Sequence, residues 1–166
     1  MLHPQFGRIL EHFSQVPAEV TLNTAGFFTS LRKDEIREFG QGIDFICSVD
    51  SLREETFDRI TQRRGFYKQT IEGTKILADI GVLKRLNMIL LPWNKDEVFD
   101  MITYCKTLGC DLKIADIARV TQGYSQSNSI FYEIGGIEAA LTECADEIIT
   151  HSYSENIGMP MSIDSI

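Results

Sequence analysis

Polar side chains gather where several apolar runs of the chain are about to end. These runs read Asn23-Thr24, Ser48-Val49-Asp50, Arg85-Leu86-Asn87 and Lys113 to Asp116. In an extended strand, Arg85 and Asn87 share one face, with Leu86 and Met88 on the other. Ser48 and Asp50 likewise lie opposite Cys47 and Val49. An arginine and an amide inside a strand are costly to bury without partners. An internal network of Arg85 with Asp50 or Asp116 would satisfy them, and so would a surface built to hold a polar, charged ligand. Spacing alone leaves both readings open.

The thiols offer less. Cys47, Cys105, Cys110 and Cys144 are too dispersed for a disulfide framework, and Cys105 and Cys110 lack a zinc-ribbon spacing or a nearby histidine. Buried small hydrophobes are the expected role, with no metal site. A net charge of −8 over 166 residues, with basic residues scattered and paired only as Arg32-Lys33, Arg63-Arg64 and Lys84-Arg85, argues against a phosphate-binding nucleic-acid surface. No apolar run reaches the roughly 18 residues of a membrane span. The start MLHPQFGRIL lacks a charged-then-apolar signal pattern, so a cytoplasmic setting is expected.

The elements that must carry these residues alternate. Phe6, Ile9, Leu10 and Phe13 have helical spacing, and Glu19 to Asn23 reads as a strand before a turn at Ala25-Gly26. Leu31, Ile36 and Phe39 mark a second helix stopped by Gly40 and Gly42, and Ile43 to Val49 a second strand. Ser51 with Glu54 reads as a capping box before a helix through Phe57 and Ile60. A longer helix carries Tyr67, Ile71, Thr74 and Ala78 to a stop at Gly81. Leu83 to Leu91 is the clearest strand, Asn94 with Glu97 reads as another cap, and Val98 to Leu108 forms a helix ending at Gly109. Asp111 to Asp116 is a fourth strand, and Gly135 to Ala145 a further helix beyond a polar Gln122 to Asn128 segment. Ser152 to Ile166 has no clear period. Alternating strands and helices at this spacing predict an α/β fold with a parallel sheet, either a barrel or an open doubly wound sheet.

The ordered motifs resemble the radical S-adenosylmethionine (SAM) superfamily, near the GTP 3′,8-cyclases of molybdenum-cofactor biosynthesis. Ile46 to Leu52 followed by Glu55 to Arg63 resembles the family's "VSLDSL…FdrItgR" segment. Thr21 to Gly26 is similar to "TTNG", Lys84 to Leu90 to "vKvNvV", Asn94 to Val98 to "NddEi", and Asp111 to Ile114 to "lRFie". Any one motif is weak, but the set runs in order across residues 17 to 118. The resemblance implies a partial (βα) barrel of the radical SAM type, with parallel strands and helices on its outer face. Residues 1–118 would be the core barrel without its first strands, and 119–166 a helical segment and tail leading out.

It also implies that the lumen binds SAM against a 4Fe–4S cluster that reduces it, so that a 5′-deoxyadenosyl radical abstracts a substrate hydrogen. On this resemblance Ser48 matches the serine that contacts SAM, Thr24 lies in the SAM-facing strand end, and Arg63 closes the segment toward the SAM carboxylate. Asn23 matches a substrate-contacting threonine and Arg85 a substrate-contacting lysine, and Asn87 joins them from Arg85's face. Each has a plainer reading. A hydroxyl at Ser48 can satisfy local backbone, and Arg63 can be a helix-end cation.

Departures from the pattern shape the expectation. The CxxxCxxC cluster motif and the GGEP segment are expected upstream of residue 1, and no cysteine here has that spacing. A second, C-terminal cluster and a glycine–arginine-rich tail are also missing. Asn23 replaces threonine and Arg85 replaces lysine, an exchange of a planar fork for a point charge. A related reaction on another small-molecule or peptide substrate is therefore expected, and catalysis by this chain alone is not. The alternative is a cluster-free barrel serving as a ligand-binding or interaction module. A phosphate-binding βα barrel fits worst, because Gly135-Gly136 is its one candidate loop.

Two outcomes test the incomplete-barrel expectation. Under reducing conditions with SAM, the chain alone should form no 5′-deoxyadenosine above background by liquid chromatography. In sedimentation it should self-associate through an unpaired sheet edge unless a second chain supplies the missing strands. A soluble monomer that unfolds cooperatively would contradict the expectation.

Overall fold

The computed structural model describes residues 3–115, 149–153 and 160–162. In chain order the elements are α1 (Phe6–Ser14), β1 (Val20–Thr24), α2 (Thr29–Phe39), β2 (Ile43–Ser48), α3 (Glu54–Thr61), α4 (Tyr67–Ile80), β3 (Leu83–Ile89), a short 3-10 turn (Lys95–Glu97), α5 (Val98–Leu108), β4 (Asp111–Ala115), β5 (Ile149–Tyr153) and β6 (Pro160–Ser162). The expected Gly135 to Ala145 helix, the Gln122 to Asn128 segment and Asp116 lie outside the described residues. The Ser152 to Ile166 stretch, read as having no clear period, contains the end of β5 and all of β6.

The sheet order is β1-β2-β3-β4-β5-β6. Each pair from β1 to β5 is parallel, and β6 returns antiparallel to β5. From β1 to β4 the order never reverses, so the topological switch of a doubly wound sheet is missing there. Successive right-handed βα crossovers then place the helices on one face, as in a barrel wall. Contacts agree: α1 meets β2, α4 meets β3 and α5 meets β4, while α1–α2, α2–α4, α3–α4 and α4–α5 pack side by side.

Alternation sorts the strand residues between these faces. Ile43, Phe45, Cys47, Leu83, Leu86, Met88, Leu112 and Ile114 are buried with Leu10, Ile36, Leu77 and Met101 of the helices. Burying each large aliphatic or aromatic side chain contributes about 1.5–3 kcal/mol before entropy is counted, so this layer is the dominant source of stability. Leu31 does not join it: α2 meets the core through Ile36 and Phe39, and Leu31 is 76% exposed.

One close approach sets how the β1 end meets the helices. A Cβ on Gly73 would lie 2.3 Å from the Gly26 carbonyl oxygen, so α4 lies directly against the β1–α2 turn. Gly26 itself has φ +77°, a left-handed conformation that glycine adopts without strain. Thr29 Oγ1 donates to Gly26 O at 2.7 Å, and Thr70 Oγ1 to Ala25 O at 3.0 Å. Gly73→Ala is expected to cost about 1–3 kcal/mol through overpacking, whereas Leu31→Ser should stay within about 0.5 kcal/mol. Thermal unfolding of the two variants checks this; equal melting temperatures would contradict the close packing.

Candidate functional site

The face of the sheet opposite the helices is polar. Parallel register lines up its residues in rows, because partners in neighbouring strands point to the same side. One row is Asn23, Ile46, Arg85 and Asp111. The next is Ser48, Asn87 and Lys113, and Ile89 pairs with Ala115 beyond it. Asn23, Ser48 and Asp111 are exposed, while Arg85, Asn87 and Lys113 are half-buried. Clefts of about 400 Å³ beside Arg8 and Glu35, and of about 250 Å³ beside Arg59 and Trp93, include no residue of these rows.

Within this face Arg85 Nε donates to Asn87 Oδ1 at 3.1 Å. Of the internal pairings that spacing leaves open for Arg85, the one with Asp50 does not form, and Asp116 lies outside the described residues. Asp50 lies beyond the β2 ladder and its Oδ1 accepts the Ile89 amide at 2.9 Å. Burial pushes the Asp50 carboxyl above the usual carboxylate range, partly offset by that amide. Among the described residues Arg85 and Lys113 form no ion pair, so two cations flank Asn87.

The structure brings Asn23, Ser48, Arg85 and Asn87 onto one face. Thr24 is not among them: it pairs with Cys47 on the helix side, and its Oγ1 accepts the Gly26 amide at 3.1 Å. Arg63 is exposed just past α3, after Gln62 with φ 53°, and no described contact links its side chain to the polar rows. Lys113 and Asp50 extend the site beyond the residues that the motifs single out. The alternation of Leu112, Lys113 and Ile114 carried the signal for Lys113.

Two expected helix caps take other roles. α3 begins after Arg53 with no side-chain cap, and Ser51 Oγ instead contacts both carboxylate oxygens of Glu97, at 2.9 and 2.8 Å. Glu97 Oε2 also accepts the Leu52 amide at 2.7 Å. Asn94 Oδ1 accepts the Leu91 amide at 2.7 Å, and its Nδ2 donates to Asp50 O and Ile89 O at 2.6 and 2.8 Å. Ser51, Asn94 and Glu97 are all fully buried. Tyr67 adds a hydrogen bond from its hydroxyl to Leu52 O. Together they join the segment after β2 to the turn after β3.

The described thiols lie in the helix layer. Burial, with smaller effects from Cys110 and Asp50, pushes Cys47 up to about 12. The Cys105 thiol is raised chiefly by its hydrogen bond to Cys110, and the same contact lowers Cys110. Among the described residues no group of three His, Cys, Asp or Glu side chains is placed to hold a metal ion, and no helix is long and apolar enough to cross a membrane.

No family model matches the chain. A probable GTP 3′,8-cyclase of Methanocaldococcus jannaschii is 23% identical over 139 residues, covering 83% of this chain and 45% of that protein. The antilisterial bacteriocin subtilosin biosynthesis protein AlbA of Bacillus subtilis is 30% identical over 111 residues, covering 65% of this chain and 24% of AlbA. Among solved structures, SuiB of Streptococcus suis superposes with a TM-score of 0.70 at 13% identity, over 92% of this chain and 37% of SuiB. SuiB is also solved bound to S-adenosylmethionine, with a TM-score of 0.67 at 10% identity, over 92% of this chain and 35% of that one. The chain thus spans less than half the length of these curated relatives.

A pH test follows from Asp50. Its folded-state pKa is raised, so the native state holds its proton more tightly than the unfolded chain does. Its contribution to stability therefore falls as pH climbs from the ordinary carboxylate range through the raised value, and the penalty persists above it. Asp50→Asn keeps an acceptor for Ile89 and removes that penalty. Denaturant unfolding should show the variant at least as stable as wild type at neutral pH, with its relative advantage shrinking on acidification. A variant less stable at neutral pH than at acid pH, relative to wild type, would contradict this.

Proposed function

Because this chain is related to the radical SAM superfamily, on the side of its GTP 3′,8-cyclases, we propose that its polar sheet face is the SAM- and substrate-contacting floor of a radical SAM enzyme. The observation that carries the reading is the row Ser48–Asn87–Lys113 beside Arg85, on a face that no helix among the described residues covers.

The side chains there suit SAM by their chemistry. Arg85 and Lys113 offer cations to a carboxylate, Ser48, Asn23 and Asn87 offer hydroxyl and amide groups to ribose hydroxyls, and Asp50 offers a carboxyl to an ammonium group. When bound and reduced by an iron–sulfur cluster, SAM supplies a hydrogen-abstracting radical. The work of this chain is to grip polar groups and orient them on a rigid sheet.

The cluster itself fits poorly with the described thiols. Cys47 and Cys105 are buried in the helix layer with raised pKa values, and a ligand to iron must be a thiolate. The reading therefore takes the 4Fe–4S ligands from sequence outside these residues, joined at the free edge of β1. Asn23 and Arg85, in place of threonine and lysine, favour a substrate other than GTP, either a small molecule or a peptide. A cytoplasmic setting is part of the same proposal.

Isothermal calorimetry with SAM tests it, on the chain combined with a segment bearing a reconstituted CxxxCxxC cluster. Binding is expected, and Ser48→Ala or Lys113→Ala should weaken it roughly tenfold each, the worth of a charge-assisted hydrogen bond. No heat from the wild-type assembly would sink the SAM reading. Full binding by both variants would move the site off this face.

A further inference from the structure

We propose that Glu97 is a positioning residue for the polar face, and that through Ser51 and Leu52 it sets the register of the C-terminal half of β3 against β2. The need for such a device lies in the ladder. Phe45 pairs with Leu83 but Ile46 pairs with Arg85, so Lys84 is an extra residue in β3. A bulge of this kind interrupts the pairing and uncouples the two halves of a strand.

Beyond the bulge, burial fixes only part of the register. A one-residue slip would turn Leu86 and Met88 out to solvent and Arg85 and Asn87 into the helix layer, which the apolar core opposes. A two-residue slip keeps Leu86 and Met88 inside, because side chains alternate with period two. Hydrophobic burial is nearly blind to that error. Yet it would carry Asn87 away from Ser48 and break the row on which the face depends.

The side-chain latch tells the two apart. Glu97 takes the Ser51 hydroxyl and the Leu52 amide, Asp50 takes the Ile89 amide, and Asn94 spans Asp50 O and Ile89 O. Of these, the bonds that cross from Asp50, Ser51 and Leu52 to Ile89, Asn94 and Glu97 do not survive a shift of two residues, whereas Asn94 to Ile89 O lies within one segment and moves with it. The carboxylate is fully buried, so any register that leaves it without donors is strongly penalised. Its position at the N-terminal end of α5 favours the negative charge. At the surface Arg53 pairs with Asp96 at 2.8 Å across the same junction, an exposed contact worth little by comparison.

The register claim stands on this geometry alone, and only its consequence for ligand binding rests on the function proposed above. Two amides report the two sides of the bulge: Phe45 N–H, bonded to Val82 O, and Val49 N–H, bonded to Asn87 O. In Glu97→Ala, hydrogen exchange at Val49 should rise roughly tenfold or more relative to Phe45, since Ser51 and Leu52 lose the buried acceptor that holds the junction. Glu97→Gln keeps an acceptor for Leu52 and a donor for Ser51, and should exchange much as wild type does. If Glu97→Ala fails to fold, Ser51→Ala reads the same pair of amides.

Equal acceleration at both amides, or none at either, would overturn the proposal by reducing Glu97 to a general contributor to stability. SAM titration of the cluster-bearing assembly separates this claim from the reading of the face. A wild type that binds no SAM sinks that reading and leaves the exchange ratio to decide the register. A wild type that binds SAM, matched by a folded Glu97→Ala of equal affinity, sinks the positioning role.

Discussion

A fully buried carboxylate is an expensive group to keep; among the described residues Glu97 forms no ion pair, and it is kept by donors that come from the far side of the sheet junction. That arrangement ties the segment leaving β2 to the turn leaving β3. The polar residues of both strands inherit their relative placement from it. Asn94 and Asp50 continue the pairing where the backbone ladder has ended, so side chains do the work of strand hydrogen bonds.

The sheet separates its tasks by face. On one side Phe45, Leu86, Met88 and Ile114 meet the helices and supply the stability. On the other, no helix among the described residues covers Arg85, Asn87, Ser48 and Lys113, and polar side chains there have no packing reason of their own. The Lys84 bulge lets one strand serve both faces with Arg85 and Asn87 turned away from the core. The similarity to SuiB extends to this fold of parallel strands with helices packed on one face.

Much of the fold was legible because local signals agreed. Gly81 and Gly109 stop α4 and α5 where spacing predicts, and the β2 and β3 alternation sorts their faces correctly. The errors share a cause. Ser51 with Glu54, and Asn94 with Glu97, have the local spacing of helix caps, yet each side chain also takes a partner far along the chain: Ser51 bonds Glu97, 46 positions away, and Asn94 bonds Asp50 O, 44 away. A contact of that range leaves no periodic trace. Thr24, singled out by a motif that does not say which face a strand-end residue takes, shares the helix side with its partner Cys47. Leu31 fits the helical period of α2 but falls outside the arc that meets the core.

The central claim is that the helix-free face binds SAM, and chemical-shift mapping tests it most directly. An isotope-labelled chain, in the presence of the cluster-bearing segment, would be titrated with SAM. The account predicts the largest shift changes at Ser48, Asp50, Arg85, Asn87 and Lys113, with the helix layer around Leu77 and Met101 little moved. Changes centred instead on the cleft beside Arg59 and Trp93, or none at saturating SAM, would contradict it.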